Sequence, residues 1–223
     1  MPCPWWSPGR RNAGQCCSVT VSARVILLTG PSGSGKSSLA ARTGLPVLRL
    51  DDFYKDAGDP TLPLLADGST DWDHVDSWDS AAAVAAIGEL CSEGRTFAPV
   101  YDISTSARTG GGELRLGGAP VFIAEGIFAA DIAARCADAG LLADALCLRG
   151  RPSTTFRRRL LRDVREGRKS LPVLVRRGWR LMRAEPGIVR RHAALGARPC
   201  RKQEALAAIA AAERTGGRTP SVV

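Results

Sequence analysis

Aromatic residues are scarce in this chain, where two tyrosines, five phenylalanines and five tryptophans supply only 5% of 223 residues. Histidine occurs only as His74 and His192. The seven cysteines are Cys3, Cys16, Cys17, Cys91, Cys136, Cys147 and Cys200, an odd number with no C-x-x-C pair among them. That usage argues against a zinc site and against a disulfide framework. Cys91, Cys136 and Cys147 lie in apolar surroundings, where a thiol behaves as a small hydrophobe. A reduced, cytoplasmic protein is the expectation. No apolar run approaches the length of a membrane span. The first 22 residues contain Trp5-Trp6, Arg10-Arg11 and Cys16-Cys17 but no continuous apolar stretch, so a secretory signal is not expected there. Residues 1–22 read as a disordered extension, 23–214 as one domain, and 215–223 as a disordered tail.

The net charge of +9 is unevenly spread. From Arg149 to Lys202 there are 18 basic residues against Asp163, Glu166 and Glu185, a local balance of +15, which leaves −6 for the remainder. Such a segment suits either a nucleic-acid backbone or a lid over polyphosphate. It lacks the aromatic interleaving that stacks bases, which weighs against nucleic acid.

What is present in full is Gly30-Pro31-Ser32-Gly33-Ser34-Gly35-Lys36-Ser37, a match to G-x-x-x-x-G-K-[ST] at every fixed position. In a chain of this length such a match arises by chance at a rate on the order of one per cent. Val25–Leu28 before it reads as a buried strand, and Ser38–Arg42 after it as a helix that Gly44 would stop. Backbone N–H groups of such a loop converge on phosphate oxygens, and the following helix adds the positive end of its dipole. Gly30, Pro31, Ser32, Gly33, Ser34, Gly35, Lys36, Ser37 and Ser38 are therefore the expected nucleotide-phosphate site. Lys36 would reach the β- and γ-phosphates, and the Ser37 hydroxyl would be a magnesium ligand.

Further along, Pro46–Leu50 reads as a strand that delivers Asp51-Asp52-Phe53-Tyr54 at its carboxyl end, the edge at which open α/β sheets bind ligands. Asp51 could face the γ-phosphate as a general base, or equally be a cap or a solvated turn. Residues 55–70 have loop composition, and Ser77 or Asp79 could cap a helix over 81–90. Phe97–Asp102 and Glu113–Leu116 look like short strands around a polar loop that includes Gly110-Gly111-Gly112. Pro120–Ala124 is a buried strand ending in Glu125-Gly126, where a carboxylate can hold magnesium. Asp144–Leu148 reads as another strand. Thr154–Glu166 is expected as a helix with Arg158, Arg159, Arg162 and Arg165 on its surface, part of a lid over about 157–175. A second basic helix is expected from about Pro172 to Ala194, and a last one over Glu204–Arg214. Strands alternating with helices imply a parallel sheet.

Together these pieces resemble the uridine kinase (uridine–cytidine kinase) family of P-loop kinases, related to phosphoribulokinase and bacterial pantothenate kinase. The matching segments are Gly30–Ser37, Asp51-Asp52-Phe53-Tyr54-Lys55, Asp71-Trp72-Asp73-His74-Val75-Asp76, Pro99-Val100-Tyr101-Asp102, Phe122-Ile123-Ala124-Glu125-Gly126-Ile127 and Arg158-Arg159-Leu160-Leu161-Arg162-Asp163. They follow the family's order over about residues 24–170. The resemblance implies an α/β P-loop NTPase fold of the nucleoside-monophosphate-kinase type, with a five-stranded parallel sheet and an arginine-rich helical lid.

By the same resemblance, ATP or GTP is the phosphate donor and Mg2+ the cofactor, and the acceptor is the 5′-hydroxyl of a uridine- or cytidine-like nucleoside. Asp51 is then the catalytic base and a magnesium neighbour, with Lys36, Arg159 and Arg162 on the phosphates and Glu125 a second carboxylate near the metal. Tyr54, Asp73, Tyr101, Ser106 and Arg108 would line the acceptor site. Ser106 stands where the family carries a base-reading histidine, and Glu166-Gly167-Arg168-Lys169 replaces its Glu-Arg-Gly-Arg. These departures leave open another small alcohol, such as a sugar or pantothenate-like substrate, or a non-catalytic ATP-binding protein. No membrane partner is expected, nucleic acid is disfavoured, and a homo-oligomer is allowed.

Overall fold

The computed structural model describes residues 22–150 and 185–216. The expected lid over 157–175, with Arg159 and Arg162, lies outside them. So do the extension apart from Ser22, the first part of the second basic helix, and the tail beyond Gly216.

Five strands make a parallel sheet in the order β2-β5-β1-β6-β7. They are β1 (Arg24–Thr29), β2 (Val47–Arg49), β5 (Val121–Glu125), β6 (Leu142–Leu148) and β7 (Arg198–Cys200). Alternating side chains of the central strands feed two separate cores, as the pleat requires. Val25, Leu27, Phe122 and Ala124 face one cluster with Ile87 and Leu90 of α2 (Ser80–Glu93). Ile26, Leu28, Val121 and Ile123 face the other, with Leu39 of α1 (Lys36–Thr43). Ile209 of α4 (Lys202–Gly216) completes that second layer. Between β5 and β6 lies the short α3 (Ala133–Asp138). β1, which leads into Gly30, and β5, which ends in Glu125, thus lie side by side in the sheet.

The sequence places α2 correctly and leaves its cap open between two residues. The structure selects Asp79, whose side chain accepts a 2.9 Å bond from the Ala82 amide. Ala83, Ala86, Ile87, Leu90 and Cys91 then form the buried stripe of an amphipathic helix.

The structure departs from or adds to the sequence reading at three places. First, β3 (Arg95–Asp102) and β4 (Ala107–Arg115) pair antiparallel as a two-stranded sheet apart from the main one. Gly110-Gly111-Gly112 belongs to β4 rather than to the loop, and the Phe97 ring lies over Gly111 where a Cβ would stand 2.4 Å from Phe97 Cε1. Second, β7 is an edge strand hidden in Arg198-Pro199-Cys200; a proline is tolerated there because one side of an edge strand makes no ladder bonds. Third, α4 runs to Gly216, two residues beyond the expected helix end at Arg214.

Candidate active site

The loop after β1 is shaped by close packing. Gly30 has φ 138°, and a Cβ there would lie 2.4 Å from the Leu148 carbonyl oxygen. Only glycine can pass that backbone. Lys36 turns back over the loop, and its Nζ donates to the Gly30 carbonyl at 3.0 Å. Its ammonium is therefore buried and already fixed over the loop. Ser34 is buried too, and its hydroxyl has no partner among the described residues.

Ser37, in the first turn of α1, donates through Oγ to Glu125 Oε1 at 2.7 Å. Glu125 closes β5 and is only 4% exposed. Its second oxygen, Oε2, has no hydrogen-bond partner among the described residues. A buried carboxylate oxygen without a donor is costly, and burial pushes the Glu125 carboxyl above its ordinary pKa. The Ser37 bond and the Lys36 charge oppose that rise, and the Asp51 charge adds to it.

Asp51 lies in the 3-10 turn Leu50–Phe53 that follows β2. Its Oδ1 accepts from the Ile127 amide at 3.2 Å. The approach is tight enough to demand Gly126, where a Cβ would meet Leu50 Cβ at 2.8 Å and Asp51 Oδ1 at 2.9 Å. The carboxyl ends of β2 and β5 are thus locked together, with Asp51 and Glu125 on one rim. The same turn is held from below by Trp78, whose indole N–H donates to the Leu50 carbonyl at 2.7 Å.

Beside this rim stands an aromatic wall. The Tyr54 ring contacts Tyr101 at a centroid distance of 5.6 Å and Trp72 and Phe128 at 6.0 Å each. Burial raises the Tyr54 hydroxyl far above its ordinary pKa, and the charges of Asp51 and Asp73 add to that rise. Tyr54 is therefore neutral, and its hydroxyl donates to the Trp72 carbonyl at 3.3 Å. Asp73 itself is exposed, and its amide donates to Asp71. His74 accepts from the Asp76 amide at 3.2 Å and so caps the short turn Val75–Ser77.

The hairpin closes the other side. Buried Asp52 accepts from the Tyr101 amide at 3.2 Å, and the Tyr101 hydroxyl donates to the Lys55 carbonyl. Ser106 takes a left-handed φ of 51°, and its carbonyl receives the Ala57 amide at 2.7 Å. Its hydroxyl also lies near the Tyr101 hydroxyl and opposes the upward pull of burial on that group. Arg108 is exposed but engaged by the protein: Nε donates to the Tyr54 carbonyl and Nη2 pairs with Asp79 at 3.6 Å.

Thus the described candidates form two adjoining groups, one around Lys36, Ser37, Glu125 and Asp51, the other around Tyr54, Tyr101, Ser106 and Asp73. Sequence reasoning did not find Phe128, Trp78 and Asp52, which shape the wall and the Asp51 turn. Asp52 carried a signal, inside the Asp51-Asp52-Phe53-Tyr54 segment, and Trp78 follows the acidic segment Asp71–Asp76 by two residues. Among the described residues there is no group of three or more His, Cys, Asp or Glu poised to hold a metal, and no helix long and apolar enough to cross a membrane.

No family model matches the chain, and no curated protein matches it. Solved structures do. A candidate fructose transport system kinase from Silicibacter sp. TM1040 superposes with a TM-score of 0.51 at 18% identity, over 78% of this chain and 89% of its own. A candidate uridine kinase from Bacillus stearothermophilus gives a TM-score of 0.44 at 19% identity, over 61% of this chain and 76% of its own. The YGR205w protein gives 0.40 at 16% identity, over 71% and 75%. Likeness at this level of identity concerns the fold. The chain has the P-loop kinase fold, with a five-stranded parallel sheet flanked by helices.

Proposed function

We propose that the protein is a kinase that moves the γ-phosphate of ATP or GTP to the 5′-hydroxyl of a uridine- or cytidine-like nucleoside. The observation that carries this reading is the convergence of the two groups at one sheet edge. Asp51 accepts from Ile127 on one side, and its charge is felt by Tyr54 of the aromatic wall on the other. A phosphate-binding loop alone would need no such wall.

In this reading Lys36 and the loop amides hold the donor's phosphates. Asp51 takes the proton as the acceptor oxygen bonds to the γ-phosphorus and the β–γ bridging oxygen leaves on the nucleoside diphosphate. Tyr54 and Tyr101 offer ring faces to a flat base, and Asp73 offers acceptors to a sugar diol. Ser106 and Arg108 border that acceptor site. Arg159 and Arg162, outside the described residues, are assigned to the phosphates by resemblance alone.

The residues also fit the divalent ion that such chemistry uses. The Ser37 hydroxyl and the orphaned Glu125 Oε2 are hard oxygen donors at the loop's mouth, with Asp51 on the same rim. Magnesium held there would neutralise charge on the β- and γ-phosphates. A cytoplasmic location is part of the same proposal.

A second reading keeps the chemistry and changes the alcohol. Ser106 supplies a short hydroxyl where the resemblance expects a base-reading imidazole, and the Silicibacter structure carries fructose in its name. A thermal-shift panel in the presence of a non-hydrolysable ATP analogue decides between them. Stabilisation by uridine or cytidine supports the first reading, whereas a response only to a sugar or pantothenate replaces it. Lys36→Ala and Asp51→Asn should each abolish turnover and leave the fold intact. Undiminished transfer by Asp51→Asn would remove the base assignment.

A further inference from the structure

We propose that His192 and Thr29 are positioning residues that hold Asp51 in place through the backbone of Ile127. The inference deepens the kinase reading and rests on it for the role of Asp51. Three consecutive hydrogen bonds carry it. His192 Nδ1 lies 3.2 Å from Thr29 Oγ1, Thr29 Oγ1 donates to the Ile127 carbonyl at 3.2 Å, and the Ile127 amide donates to Asp51 Oδ1 at 3.2 Å.

The direction of each bond follows from the donors available. Thr29 has a single hydroxyl hydrogen, and the Ile127 carbonyl can only accept. With that hydrogen on the Ile127 carbonyl, the assignment that satisfies all three groups has Nδ1 protonated and donating to Thr29. Thr29 is fully buried and His192 is 3% exposed, so neither can exchange its partner for water. In such a setting a satisfied network fixes geometry strongly, and a missing member is expensive.

The amide and the carbonyl of Ile127 lie on opposite sides of its Cα. Bonds to both therefore constrain its φ and ψ together, and with them the direction of the N–H that meets Asp51. Gly126, just before it, has no Cβ and supplies no side-chain restraint at that approach. Phe128, just after it, packs on Tyr54, so the same residue also orients the aromatic wall. Thr29 is the last residue of β1 and leads into Gly30, whose carbonyl holds Lys36. One buried hydroxyl thereby ties the phosphate loop to the candidate base.

His192 comes to this place on residues 185–194, which are helical. That helix is anchored by an ion pair between Arg191 and Asp131, and the same Nδ1 also lies 3.8 Å from Cys147 Sγ. Burial and the Arg191 and Lys36 charges disfavour a charged imidazole here, and Asp131 favours it. The balance keeps the ring neutral, so it adds no charge beside the loop lysine.

Amide hydrogen exchange at Ile127, read on the full chain by NMR, tests the relay without any substrate. Thr29→Val keeps the branched shape and removes the hydroxyl, whereas Thr29→Ser keeps it. His192→Leu removes the donor, whereas His192→Asn retains one near the place of Nδ1. Thr29→Val and His192→Leu should each speed Ile127 exchange about tenfold. The double variant should be no faster than either single one, and the Ser and Asn variants should stay near the wild type.

In turnover with uridine, the two disruptive variants should lose about tenfold in kcat with KM for ATP unchanged, and the conservative ones should recover it. Unchanged Ile127 exchange in Thr29→Val overturns the relay. Faster exchange with unchanged kcat overturns the positioning role. If the wild-type protein phosphorylates no alcohol in the panel, the kinase reading fails by itself, and the exchange measurement still decides the relay.

Discussion

Ser37 Oγ and Glu125 Oε1 are joined by a 2.7 Å hydrogen bond between residues 88 positions apart, one opening α1 and the other closing β5. The pairing exists because β1 and β5 lie side by side and parallel, with Leu28 opposite Glu125. Both strands therefore deliver their next residues to the same edge. It leaves Glu125 Oε2 buried and turned away from any donor among the described residues.

Glu125→Gln keeps the shape and the Ser37 contact but removes the negative charge. Its effect should be confined to the metal-dependent step. Turnover should fall on the order of 100-fold, while binding of nucleotide measured without magnesium is kept or strengthened. A magnesium titration of both quantities checks it. Equal loss of nucleotide affinity with and without magnesium would count against a metal role.

Two glycine substitutions should move stability in opposite directions. At Gly126 a new Cβ would meet Leu50 and Asp51 inside 3.0 Å, so Gly126→Ala should cost roughly 1–3 kcal/mol and displace the candidate base. At Gly88, inside α2, nothing lies within 4 Å of the added methyl. Gly88→Ala should stabilise by up to about 1 kcal/mol through helix propensity. Denaturant unfolding of the two variants measures both.

The buried His192 should make the fold acid-sensitive. Its pKa is lowered from 6.5 to about 4, chiefly by desolvation, with the Arg191 charge next. The unfolded chain therefore takes up a proton before the folded one does. The stability so contributed is complete above pH 6.5 and is lost as pH falls toward 4, a loss of about 3 kcal/mol at most. His192→Asn should flatten this limb of the stability–pH curve. A wild-type curve already flat between pH 6.5 and 4 would contradict the burial of a neutral imidazole.

The aromatic wall should act on the acceptor and spare the donor. Tyr101→Ala removes a ring that meets Tyr54 at 5.6 Å, together with a hydroxyl bonded to Lys55. KM for the accepted alcohol should rise about tenfold or more, with KM for ATP unchanged, because base–aromatic stacking contributes roughly 1–3 kcal/mol. Initial rates at varied concentrations of each substrate separate the two.

Local chemistry made much of this protein legible as sequence. A glycine at Gly30, a lysine at Lys36 and a carboxylate at Glu125 are each required within a few residues of a strand end, so their spacing is written along the chain. The alternating strands and helices likewise imply the parallel sheet, since right-handed crossovers leave few other arrangements.

Other features depend on residues far apart in the chain, and no local pattern records them. The edge strand Arg198–Cys200 exists because Leu146–Leu148 offers it a ladder, not because its own residues favour extension. Phe128 becomes part of the aromatic wall only when β5 and β2 meet at their carboxyl ends. His192 reads as one of two histidines until residues 185–194 lay it against Thr29, 163 positions earlier. The sequence by itself determined which groups could bind phosphate. The tertiary structure decided which of them share a rim, because burial and backbone pairing bring partners together without regard to their distance along the chain.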